Sequence, residues 1–196
     1  MDIHIIGAGA IGKLLAAKLS RVPEGGNLVL VAHRRAQADA VNGGGLVLRD
    51  GEGTSVSFVG TVAWPDYAAD GNRAPADAVM LAVKQQHFHE GMLRAVCGHL
   101  KPDGIVVAWM NGIGHERLLA RLPGKARSAL AITTEGATSR GDAEVEHTGA
   151  GTTKLGLLAG GSAEAGRQLK NVACWLAAAG FDIGLSNDIM QEAWNK

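Results

Sequence analysis

The 196-residue chain has only two cysteines, Cys97 and Cys174, and both fall inside apolar helical patterns. So few thiols exclude a disulfide scaffold; the expectation is two buried free thiols in a reducing compartment. An excess of charge is also lacking. Lys plus Arg number 19 and Asp plus Glu number 19, a formal net charge of zero. That balance removes the usual electrostatic reason to expect a nucleic-acid partner and leaves cationic function to a few placed residues. No apolar run approaches the ~18 residues of a membrane span. The first residues open directly into an apolar strand, with no basic stretch before a hydrophobic one, so export is not expected and the cytoplasm is the default location. No internal repeat is visible.

Glycine is plentiful, at 28 residues. The glycines separate apolar runs rather than forming a tract, which indicates tight loops between packed elements. The runs themselves alternate in period. Asp2–Ile6, Asn27–Ala32, Ala78–Val83 and Gly104–Trp109 are short and continuously apolar, as strands buried on both faces are. Ala10–Ser20, Ala36–Asn42, Phe88–Leu100 and His115–Leu122 carry helical spacing. Leu46–Arg49 and Ser55–Val59 alternate around Asp50–Gly53 as a hairpin does, and Tyr67–Pro75 is read as irregular. Strand–helix alternation predicts an α/β fold, a doubly wound, mostly parallel sheet. From Ser128 the pattern changes. Ala129–Thr134, Ala143–His147 and Thr153–Leu158 are expected as an antiparallel C-terminal extension of that sheet. A long helix, Ala163–Ala179, a strand, Phe181–Leu185, and a last helix capped by Asn187 complete the prediction.

The most specific signal lies at the start. Gly7-Ala8-Gly9-Ala10-Ile11-Gly12 fits G-x-G-x-x-G, follows a strand and opens a helix, the context in which this string binds a dinucleotide. Gly7 permits the sharp turn, Gly9 lets the backbone approach a pyrophosphate, and Gly12 lets helix and strand pack closely. The unpaired N–H groups at the helix start then face the anion. An NAD site usually adds a carboxylate after the second strand, for the ribose 2′-hydroxyl. Here that strand runs Val31-Ala32-His33-Arg34-Arg35 with no acid. A guanidinium at Arg34 suits a 2′-phosphate and argues for NADP over NAD; Arg35 is either solvated or a second phosphate contact.

Two further strands end in polar residues on the same side of the expected sheet, Ala78–Val83 at Lys84 and Gly104–Met110 at Asn111-Gly112. Taken singly, Lys84 reads equally well as a snorkelling surface residue and Asn111 as a turn former. His87 and His89 flank Phe88, but no carboxylate or Cys completes a metal-ligand set at helix spacing, so no metal is expected and the histidines are read as surface residues.

Taken together, the glycine loop, Arg34, the lysine of Leu81-Ala82-Val83-Lys84, Asn111-Gly112-Ile113-Gly114, the Gly149–Gly156 segment and the final Glu192-Ala193-Trp194-Asn195-Lys196 resemble the 2-dehydropantoate 2-reductases, or ketopantoate reductases. The resemblance spans Met1 to Lys196 and rests on the order and spacing of modest motifs. It implies a Rossmann-type fold, NADPH as cofactor, and reduction of the α-keto acid ketopantoate to pantoate on the route to pantothenate and coenzyme A. It further implies Lys196 as the general acid that protonates the developing alkoxide. Lys84 and Asn111 would hold the nicotinamide end and the substrate, Lys84 also serving catalysis, and Ala137 in Thr133-Thr134-Glu135-Gly136-Ala137 would contact the cofactor.

The sequence departs from that family in two places. Lys84 is followed by Gln85-Gln86-His87, whereas the family often has a Gln or similar group three residues on. Family members also continue into a helical second domain of roughly a hundred residues. Residues 1–186 are therefore expected as the NADP-binding domain and 187–196 as the start of the helix leading to a helical domain that is missing here. With Lys196 at a frayed end, the chain is expected to bind NADPH but turn ketopantoate over poorly. Alternatives are a non-catalytic NADP-binding module or a reductase of another α-keto acid. The apolar side of 187–196 is expected to be exposed and to favour a homodimer.

Overall fold

The computed structural model describes residues 1–23, 26–122, 127–158 and 163–195. In chain order the elements are β1 (Ile3–Ile6), α1 (Ala10–Leu19), β2 (Leu28–Ala32), α2 (Arg35–Gly44), β3 (Leu46–Asp50), β4 (Gly53–Ser57), β5 (Gly60–Ala63), α3 (Trp64–Ala69) and β6 (Ala76–Leu81). A 3-10 turn (Gln85–His87) precedes α4 (Glu90–Gly98), β7 (Leu100–Ala108) and α5 (Glu116–Leu119). The chain continues through β8 (Arg127–Thr133), β9 (Gly136–Ser139), β10 (Glu144–Gly149), β11 (Thr152–Leu157), α6 (Ala163–Ala178), β12 (Asp182–Leu185) and α7 (Ile189–Trp194).

Eight strands form the main sheet in the order β12-β11-β8-β7-β6-β1-β2-β5. From β5 to β8 every pairing is parallel, and β11 joins β8 antiparallel. The period-two alternation of apolar side chains feeds a separate core on each face. Ile3, Ile5, Ala78, Met80, Ile105 and Val107 point to one; Ile6, Val79, Leu81, Val106 and Ala108 point to the other. Both faces are covered, as the continuously apolar strands require.

One expectation fails here in an informative way. Ala143–His147 does not extend the main sheet. It forms β10, which pairs parallel with β3 and antiparallel with β9 in a second, four-stranded sheet of order β4-β3-β10-β9. Leu46, Leu48 and Val145 of that sheet join the core that contains Leu14 and Leu15 of α1. Helix α1 is thereby enclosed between two sheets, and residues 12–17 are all buried. Short strands with similar alternation do not disclose which sheet they enter, because partner choice is a long-range property.

Smaller differences follow from the same cause. Tyr67–Pro75, read as irregular, begins inside α3, where Tyr67 is fully buried. Most of Gly149–Gly156 lies in β11, close to the strand expected over Thr153–Leu158. Cys97 is half-buried and Cys174 exposed, and both are free thiols rather than buried ones. Cys174 lies on the outer face of α6, whose Leu169, Val172, Ala173 and Leu176 turn inward. Three histidines, His4, His99 and His115, are buried rather than at the surface. No helix among the described residues is long and apolar enough to cross a membrane.

Candidate functional site

In the main sheet β1 has β2 on one side and β6 on the other, so the winding reverses direction at β1. Open α/β sheets bind ligands beyond the carboxyl ends of their strands at such a reversal. The loops following β1, β6 and β7 meet there. The parallel ladder runs past the strand ends to set them side by side: Gly7 N–H donates to Val31 at 2.9 Å, Ala82 N–H to Ile6 at 2.8 Å and Trp109 N–H to Leu81 at 2.9 Å.

The three loop glycines serve distinct purposes. Gly7 has φ +108°, a conformation that favours glycine, and a Cβ there would lie 2.7 Å from the Ala82 carbonyl oxygen. A Cβ at Gly12 would lie 1.8 Å from the Gly7 carbonyl oxygen. Both positions are closed by close packing. Gly9 differs, since a Cβ there meets nothing within 4 Å. It is exposed and caps α1 with no side-chain hydrogen bond, and the first turn of α1 contains no acid. The first N–H groups of this ten-residue helix have no intrahelical acceptor. The loop therefore suits a pyrophosphate: open space over Gly9, converging donors and no acid in the helix's own first turn. Ala8 is buried beneath it, while Ala10 and Ile11 are half-buried.

Arg34 stands at the N-cap of α2, directly after β2, at the same edge of the crevice. Its guanidinium forms an ion pair of 2.7 Å with Asp142, from the turn between β9 and β10. Arg35 points elsewhere and pairs with Asp66 at 2.6 Å. Gln37 ties the glycine loop to α2, its side-chain amide donating to the Ala8 carbonyl at 2.9 Å.

Lys84 is exposed after β6 and forms no ion pair among the described residues. Asn111 is exposed after β7. The two loops are joined by Gln85, whose amide donates to the Ile113 carbonyl at 2.8 Å. Gly112 and Gly114, at φ +89° and +110°, leave just enough room for that side chain. Ala137 lies on β9 opposite His147 and packs against the core beside α1. The structure thus brings Gly7–Gly12, Lys84 and Asn111 to one crevice with Arg34 at its rim, and places Ala137 in the small sheet.

Lys196 lies outside the described residues. The helix before it is firmly seated. Asp188, rather than Asn187, caps α7 by accepting from Gln191 N–H at 3.0 Å. Ile189 packs against Gly156, where a Cβ would lie 2.4 Å from that of Ile189. Glu192 pairs with Lys154 at 2.6 Å, which holds its carboxyl below the usual range. The apolar side of α7 is accordingly divided: Ile189 is buried and Trp194 exposed.

A residue that the sequence reading passed over supports this site. Lys13, one turn into α1, is fully buried. Its ammonium donates to Ser139 Oγ at 2.6 Å, to the Glu144 carbonyl at 2.8 Å and to the Gly141 carbonyl. All three donors are used, as a buried ammonium requires. Burial pushes its pKa down, and the charges of Asp142 and Glu144 oppose that shift. A lysine within Ile11-Gly12-Lys13-Leu14-Leu15 was the available signal, because a helix apolar on all sides leaves a cation no route to water.

Comparison with known proteins agrees with this geometry. The family model described as ketopantoate reductase PanE/ApbA matches residues 3–160. A 2-dehydropantoate 2-reductase of Pyrococcus abyssi is 29% identical over 196 residues, covering all of this chain and 60% of the relative. The crystal structure of 2-dehydropantoate 2-reductase from Methylococcus capsulatus superposes with a TM-score of 0.81 at 25% identity, over 99% of this chain and 59% of that one. A ternary structure of D-mandelate dehydrogenase with NADH and anilino(oxo)acetate shares the fold, with a TM-score of 0.86 at 23% identity over 99% and 59% of the two chains. The present chain thus spans about three-fifths of the length of these relatives. The glycine loop at the sheet reversal, the polar strand ends around it and the family match agree: the chain belongs to the ketopantoate reductase PanE/ApbA family.

Proposed function

We propose that this chain supplies the nucleotide-binding part of an NADPH-dependent reductase that converts ketopantoate to pantoate. Residues 1–186 would form the NADP-binding unit, and residues 187–196 the start of the helix that leads to a substrate-completing helical domain. The observation that carries the reading is the open, acid-free N-terminus of α1 at Gly9, beside a cationic end of β2 at Arg34. The N–H groups of Gly7–Gly12 hold the pyrophosphate, and Arg34 faces the 2′-phosphate. When bound, the dihydronicotinamide supplies a hydride to the ketone carbon. The protein's part is to orient and to move one proton. Lys84 and Asn111 orient the nicotinamide end and the keto acid, and Lys196 donates the proton to the alkoxide oxygen.

Titration with NADPH and NADH, followed by a ketopantoate-dependent NADPH oxidation assay, tests this directly. Binding of neither nucleotide would refute the reading. Arg34→Ala is expected to weaken NADPH by roughly tenfold or more, the worth of a charged hydrogen bond, while NADH changes far less. Equal losses for the two nucleotides would remove Arg34 from the 2′-phosphate.

A further inference from the structure

The cation that marks β2 for a 2′-phosphate already has an anionic partner on this chain. Asp142 places a carboxylate oxygen 2.7 Å from the Arg34 guanidinium. It comes from the other sheet, across 108 positions of sequence. That approach is built rather than incidental. The buried ammonium of Lys13 grips both ends of the β9–β10 turn, through Ser139, Gly141 and Glu144. Arg140 pairs with Glu146, and Arg49 of β3 pairs with Glu144, which fixes the turn laterally. Gln37 reaches both the Ala8 carbonyl of the glycine loop and the Asp142 carbonyl, at 2.9 and 3.5 Å. Asp142 is thereby held at the junction of the pyrophosphate loop and the start of α2, where the second strand of a dinucleotide fold meets the adenosine ribose.

Two physical consequences follow. A 2′-phosphate approaching Arg34 must share the guanidinium with a carboxylate, and two anions on one exposed cation repel. A ribose with a free 2′-hydroxyl meets no such repulsion, and an acid is the group that NAD sites present to it. The end of β2 has no acid in its own sequence, and the small sheet supplies one.

We infer that Asp142 is a specificity-determining residue of the nucleotide site: by occupying Arg34 it opposes the 2′-phosphate and narrows the preference for NADPH over NADH. The inference rests on the dinucleotide-binding reading given above. It concerns binding alone, since discrimination is the difference between two affinities and repulsion of one ligand is as effective as attraction of the other.

The test is equilibrium binding of NADPH, NADH, 2′,5′-ADP and AMP to the wild type, Asp142→Asn, Arg34→Ala and the double variant. Asparagine keeps the shape and removes the charge, and the position is partly exposed, so folding is preserved. Asp142→Asn is expected to raise the NADPH:NADH affinity ratio roughly five- to tenfold, chiefly by tightening NADPH, and to shift 2′,5′-ADP against AMP in parallel. The two substitutions should be non-additive, with a coupling of roughly threefold or more, because both act on one ion pair. An unchanged ratio in Asp142→Asn, or strict additivity with Arg34→Ala, would overturn the inference while leaving the nucleotide site intact. Failure of the wild type to bind any of the four ligands would overturn the dinucleotide reading, and this inference with it.

Discussion

Gly12→Ala is expected to destabilise the protein by about 3 kcal/mol, the upper range for overpacking a close contact, and to abolish dinucleotide binding with it. The added methyl would sit 1.8 Å from the Gly7 carbonyl oxygen and 3.3 Å from the Ala82 Cβ. Neither neighbour can yield. The Gly7 carbonyl belongs to the turn after β1, and Ala82 to the backbone that continues β6. Helix α1 would have to lift off, and it is the most enclosed helix of the fold, packed against the main sheet on one side and β3, β9 and β10 on the other. The matching control is Gly9→Ala. That position has φ −75° and a Cβ there meets nothing, so the fold should tolerate alanine. Its methyl would instead stand over the anion site, and dinucleotide affinity should fall roughly tenfold or more. Urea denaturation and nucleotide titration on both variants separate packing from binding. If Gly12→Ala kept the wild-type denaturation midpoint, the close helix–strand contact would not exist as described. If Gly9→Ala bound NADPH normally, the pyrophosphate would lie elsewhere.

Acid should weaken the fold through His4. This residue sits in the middle of β1, fully buried, with Nδ1 sharing a 3.0 Å hydrogen bond with Tyr67 Oη. The His99 ring lies beside both. The Nε2 atom of His4 has no hydrogen-bond partner among the described residues. A proton there would create a buried cation with no acceptor. Burial, followed by electrostatic repulsion from His99 and Arg73, therefore pushes the His4 pKa down to about 4. Above pH 6.5 the ring is neutral in folded and unfolded chains alike, and it adds no pH dependence. Between pH 6.5 and about 4 the unfolded chain takes up a proton that the folded chain refuses, so stability falls as the pH falls. Each pH step across that window removes about 1.4 kcal/mol, so the full loss is on the order of 3 kcal/mol. His115, buried with both ring nitrogens unpartnered among the described residues and its pKa also pushed down by burial, adds in the same direction. Denaturation midpoints for the wild type and His4→Gln between pH 7 and 4 provide the measurement. The variant retains an amide for Tyr67 and should show a clearly shallower slope. Equal slopes would place the acid sensitivity outside this cluster.

The parts of the site that were legible in the sequence share one property. Gly7–Gly12, Lys84 and Asn111 each follow a continuously apolar strand, and in a parallel sheet strand ends converge by topology. Local pattern was enough to bring them together. What failed were pairings across long separations. Ala143–His147 alternates as a sheet-extending strand would, yet it joins β3 in another sheet. Tyr67 stood in a segment read as irregular, and its burial beside His4 of β1 and His99 at the end of α4 depends on elements distant in sequence. Lys13 was passed over, and its burial became visible only where the small sheet covers the outer side of α1.

The sequence by itself determined the G-x-G-x-x-G loop, the alternating strands and helices, and a cationic end to β2 at Arg34. Each is encoded within some twenty residues by hydrophobic period and by glycine where a side chain cannot fit. Only the tertiary structure decided what surrounds Arg34. Asp142 meets it because β10 pairs with β3, and because the buried Lys13 ammonium is bound by the turn between β9 and β10. A buried ammonium must find three acceptors wherever the fold supplies them, and that need, invisible in any local pattern, sets the carboxylate beside the cation.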